Sequence, residues 1–158
     1  MCAHAEAEGR RLVVVDNHLT SNPVLSIIDA DGVRDLPDGV WDRVRKIREV
    51  VYQAIEELSP DDWSFVFTNV VVRSDPHVPA LFERLERLAI ARSTTYVPVV
   101  LHCDTAELRR RVSSPERALR HKWVDPDGVE SFVANEELIR PEATVFAVDV
   151  TKLTAPDS

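Results

Sequence analysis

Four apolar runs rich in β-branched and aromatic residues constrain this chain more than anything else in it: residues 11–16 (RLVVVD), 63–72 (WSFVFTNVVV), 95–103 and 143–150 (ATVFAVDV). They are nearly continuous rather than alternating, the pattern of strands buried on both faces. The segments between the first three have the other period. From Asp38, a suitable N-cap, Trp41, Val44, Ile47, Val51, Ile55 and Leu58 recur at helical spacing. Pro79 suits a first helical turn, and Leu81, Phe82, Leu85, Leu88 and Ala89 carry a second buried stripe to Arg92. Strand, helix, strand, helix, strand with short links predicts a single α/β domain over 1–158, a mostly parallel sheet flanked by helices on both faces. Ligands of such sheets sit beyond the carboxyl ends of the strands. Those ends carry Asp16-Asn17-His18, Thr68-Asn69, Cys103-Asp104 and Val150-Thr151.

The remaining segments are shorter. Residues 2–8 read as the end of a helix closed by Gly9, and 17–22 as a polar loop. A turn-rich connection over 31–39 precedes the long helix. Pro98 points to an edge position or a bulge in the third strand. Asp104 with Glu107 predicts a capping box. Ser114-Pro115 opens a short basic helix over 116–122, and one or two further turns run from Asp125 to Val133.

Charge is unevenly placed. The chain carries −8 overall, yet between Arg109 and Lys122 it holds five Arg and one Lys against one Glu. The acidic total argues against nucleic acid and anionic membranes as partners. The basic stretch suits a small anion, because guanidinium forks donate paired hydrogen bonds to phosphate oxygens. It is equally the pattern of a solvated helix face. Cys2 and Cys103 read as free thiols in a reducing compartment. No signal peptide and no apolar run of membrane-spanning length is evident, so the expected location is cytoplasmic. His4, His77, His102 and His121 show no ligand spacing with either Cys, and no metal site is expected.

The strand ending in Asp16 and followed by Asn17-His18-Leu19-Thr20, the strand and helix leading to ELRRRV, and the stretch SPERALRHKWVDP together resemble the P-loop kinases of small molecules and nucleotides. Shikimate kinase, chloramphenicol phosphotransferase and AAA-type ATP-binding proteins are the comparison. The likeness spans 9–153, with 109–126 in the place of the mobile lid. It implies ATP and Mg2+ as cofactors and a small-molecule or nucleotide ligand. Asp16 would then be the catalytic base that accepts a proton from the attacking hydroxyl, with Asn17, His18 and Asn69 on the substrate side. Arg110 would face the nucleotide. Arg117, Arg120 and Lys122 would neutralise the transferring phosphoryl group. Each residue also has a plainer use: Asp16 as a strand-end cap, His18 at the surface, Asn69 in a turn.

The departure is large. G-x-x-x-x-G-K-[ST], whose backbone N–H groups cradle phosphates, occurs nowhere; the four glycines are Gly9, Gly32, Gly39 and Gly128. The resemblance therefore implies a P-loop NTPase-like core without its first strand and Walker A loop, residues 2–8 being the tail of the missing helix. An upstream start outside this sequence accounts for that, as does a degenerate relative that binds an anion or partner without chemistry. In either case the polypeptide is expected not to turn over ATP. In the resembling fold the missing strand lies between the runs at 63–72 and 95–103. These are expected to pair directly, or to pair with a partner or a second copy through exposed edges.

Overall fold

The computed structural model describes residues 3–7, 10–119, 121–137 and 145–153. Strand β1, Ala3–Ala7, pairs antiparallel with β2, Arg10–Val15, from Ala3 opposite Val14 to Ala7 opposite Arg10. This corrects the helix expected over 2–8. Alanine and glutamate are good helix formers, but propensity is a weak prior; the outer backbone edge of β2 requires partners, so pairing overrides it.

The expected loop at 17–22 is also corrected: Asn17–Leu25 form helix α1. Asp16 caps it, its carboxylate accepting the His18 N–H at 2.8 Å. Thr20 and Ser21 are buried, and their hydroxyls donate back to the Asn17 carbonyl at 3.0 and 3.3 Å. Such residues usually draw the backbone away from helix; here their polar groups are satisfied inside it.

Helix α2, Val40–Leu58, buries Val40, Val44, Tyr52 and Ile55. Its N-cap is Gly39, at φ 77°, rather than Asp38. Strand β3, Ser64–Phe67, runs parallel to β2, with Leu12 opposite Ser64 and Val15 opposite Phe67. It is shorter than the apolar run because β2 ends, and the Thr68 hydroxyl then accepts the Asn17 N–H at 2.9 Å. Helix α3, Val78–Ala91, has Pro79 in its first turn as expected. Strand β4 is Val99–His102. Pro98 stays outside its ladder and lends only its carbonyl, to the Phe146 N–H at 3.0 Å. Helix α4, Thr105–Val112, is capped by Asp104, which accepts from the Ala106 N–H at 2.8 Å. Helix α5, Pro115–Ala118, is a single turn rather than the span 116–122. Helix α6 is Gly128–Asn135, and strand β5, Phe146–Asp149, pairs parallel with β4.

The chain is thus α/β, but its strands form two sheets, β1-β2-β3 and β4-β5, rather than one. The expected direct pairing of β3 with β4 does not occur. Helices α2 and α3 cover one face of the first sheet, where Val13 and Val15 meet Tyr52, Ile55, Leu85 and Leu88. Helices were expected on both faces. On the opposite face Val66, across from Val14, is 41% exposed. Arg92 locks the end of α2 to the approach to β3, donating to the carbonyls of Ile55 and Pro60 at 2.7 Å each and, at longer range, to those of Ser59 and Trp63.

Candidate functional site

The residues between α1 and α5 meet through backbone contacts made possible by Gly32. Its φ of 77° is open to glycine, and a Cβ there would collide with the Lys122 carbonyl. Val124 donates its N–H to the Gly32 carbonyl at 3.2 Å. His121, held at φ 50°, places Nδ1 2.9 Å from the Ala30 carbonyl. Arg117 donates from Nε to the Trp123 carbonyl at 3.0 Å. The bonds of His121 and Val124 seat residues 121–124 against the α1–α2 connection, and that of Arg117 ties it to the same residues.

His18 registers that placement. Burial lowers its pKa below the ordinary value, and the charge of Lys122 lowers it further; the bond to Asn22 and the carboxylate of Asp16 push the other way, and Arg117 adds a smaller downward push. The ring is therefore neutral at pH 7, in a field made positive by Lys122 and Arg117. Burial also lowers the Arg117 pKa, though a guanidinium stays charged at any working pH. Among the described residues, neither Lys122 nor Arg117 is ion-paired.

The other basic residues differ. Arg109 bridges Asp127 and Glu130 at 2.6 and 2.8 Å. Arg110, the residue expected on the nucleotide side, is exposed and grips Glu107 through two bonds of 2.7 Å as a surface pair. Arg111 shares Glu107 and donates to the carbonyls of Val150, Thr151 and Leu153, tying α4 to the end of β5. Glu107 is held by these two guanidiniums at a pKa of about 2, and does not close a capping box. Arg120 lies outside the described residues.

Asn17 and Asn69 fall on a different surface, an open cleft of about 840 Å3 under α2 and α3. Asp16 and His18 are not in its wall, so Asn17 is the link between cleft and basic segment. Three arginines of the cleft were missed by sequence reasoning. Arg48 donates to Asn17 Oδ1 at 2.5 Å, Arg45 pairs with Asp42, and Arg84 joins Glu49 and Glu56 at 3.0 Å each. Arg48 could have been found: it stands one helical turn before the buried Tyr52, on the face that meets the sheet.

The start of α1 has little backbone left for an anion. The N–H groups of Asn17, His18 and Leu19 go to the Thr68 hydroxyl, the Asp16 side chain and the Asp16 carbonyl. A bound anion would rest on side chains. ATP fits poorly, because no glycine-rich loop of the G-x-x-x-x-G-K-[ST] kind is present to cradle its phosphates. No helix among the described residues is long and apolar enough to cross a membrane. Comparison with protein-family models, curated proteins and solved structures finds no match to this chain.

Proposed function

We propose that this chain is a kinase-like anion-binding domain, related to small-molecule or nucleotide phosphotransferases and without phosphoryl transfer of its own. One observation carries the reading. Of the five described cations between Arg109 and Lys122, three are taken up by carboxylates, and the two that are not, Arg117 and Lys122, are the two whose charges reach His18. A phosphate or carboxylate seated between them would balance two cations that, among the described residues, have no ion-pair partner. The ligand's body would lie toward Asn17 and Asn69, at the mouth of the arginine-lined cleft. Among the described residues no donor reaches the second carboxylate oxygen of Asp16, which leaves it able to accept from a ligand hydroxyl.

Chemistry stops there. Without a backbone cradle and its lysine, a triphosphate is not positioned for in-line transfer, and positioning is most of what such catalysis consists of. The alternative, a degenerate relative holding a partner's acidic group in the same place, shares the residues and differs in ligand size. The test is calorimetry with inorganic phosphate, ATP and adenosine. Phosphate and ATP are expected to bind and adenosine not. Lys122→Ala and Arg117→Ala should weaken binding at least tenfold, and Arg110→Ala should leave it unchanged. Equal binding by all three variants would remove the site, and ATP turnover that Arg117→Ala abolishes would overturn the claim of inactivity.

A further inference from the structure

The second sheet is built in a way parallel sheets do not tolerate alone. Parallel strands occur with both faces covered, and two strands by themselves are marginal in water. Yet Val99 and Leu101 of β4 are 51% and 59% exposed, and Phe146 and Val148, their cross-strand partners, are 59% and 39% exposed. The first sheet ends as abruptly: among the described residues β3 pairs with β2 on one side only. Both unfinished strands border one groove of about 500 Å3, whose wall takes in all of β3 and, on the other side, Val97 through Val100.

We propose that this groove takes one extended, uncharged strand of a partner polypeptide, which pairs with β3 on one side and β4 on the other and joins the two sheets into one. Shape and charge select that occupant. Among the described residues β3 and β4 each have one strand neighbour, so each wall offers the N–H and C=O groups of a strand edge, which only another extended backbone satisfies at every residue. Among the described residues the wall carries a single charged side chain, Arg92, whose guanidinium donates to the carbonyls of Ile55, Ser59, Pro60 and Trp63. A cationic side chain entering there would lose water and meet the like charge of Arg92, and an acidic one would have to compete with the carbonyls that already hold that guanidinium. The inserted residues should therefore be Val, Ile, Thr or aromatic. A second copy of this chain is a poor donor, because its outer strand β1 reads AHAEA and carries Glu6 and His4.

The experiment uses the whole chain and an acetylated, amidated peptide with six Val, Ile and Thr residues, flanked by lysines for solubility. Hydrogen exchange is followed by mass spectrometry, with sizing against the 17.8 kDa mass. Saturating peptide should slow exchange at least tenfold in residues 64–67 and 99–102 together, at one peptide per chain. Replacing two alternate peptide residues by proline, which has no N–H, should abolish this. Val66→Lys, at an exposed position on the groove wall, should weaken binding at least tenfold with melting temperature unchanged. Slowing in only one of the two strands would overturn the proposal, as would no slowing, an active proline peptide, or a dimer that protects both strands without peptide.

Discussion

Lys122 and Gly32 act on the candidate site from opposite directions, one by charge and one by geometry. His18 has a lowered pKa. Its neutral form therefore contributes stability that is present above the ordinary value of 6.5 and is lost as pH falls through the lowered value. Lys122→Ala removes a depressing charge, so an NMR titration should show the His18 pKa moving up toward 6.5. Phosphate bound to the wild type should move it the same way. Gly32→Ala forces an L residue to φ 77° against the Lys122 carbonyl; a cost of about 1–3 kcal/mol in urea unfolding is expected, with phosphate affinity falling as the 121–124 segment unseats. At this scale the sequence was partly legible. The plainer use expected of Asp16, a cap at a strand end, is the one its bond to the His18 N–H displays, although the helix that it caps was read as a loop. The Arg110–Glu107 pair was not read from the sequence, because a partner three residues away is on hand only once the helix is drawn. Arg48 was hidden by lying in a helix chosen for its apolar period.

At the scale of elements, regular segments were readable and marginal ones were not. Helices α2 and α3 declared themselves through repeating apolar positions that bury on one face of the sheet. Strand β1 could not, since its alanines and glutamate say helix and only the open edge of β2 says strand. Helix α1 failed for a related reason: Thr20 and Ser21 return their hydrogen bonds to the Asn17 carbonyl within the helix itself, which a propensity count does not register. The joints between elements are arginines bonded to carbonyls. Arg92→Ala should cost about 2–3 kcal/mol in urea unfolding, because it strips a charged donor from several carbonyls at the end of α2. Arg110→Ala should stay within about 0.5 kcal/mol, as exposed pairs do. Glu107, with its pKa at about 2, supports the α4–β5 joint above its unfolded value near 4.5 and loses that contribution as pH falls through 2. Hydrogen exchange of the Phe146–Asp149 strand should accelerate over that window, and Glu107→Gln should flatten the dependence.

For the whole molecule, the alternation of strands and helices gave the class and not the closure. Each parallel pair was readable from its apolar run. That the pairs remain apart was not, because pairing depends on what lies between them in space. The exposed Val99, Leu101, Phe146 and Val148 form a patch of the kind that associates. Val99→Lys with Leu101→Lys should lower light scattering at high protein concentration while changing stability by less than about 1 kcal/mol, as befits exposed positions. The placement of the three tryptophans has a separate use. Trp41 borders the arginine cleft, Trp63 lies in the groove wall with the Arg11 guanidinium 4.2 Å from its ring, and Trp123 leans on Phe132 at 5.6 Å within the segment over α1. Each region thus owns one intrinsic fluorophore in its own surroundings, and variants that keep a single indole would report cleft, groove and overlying segment as three independent optical channels.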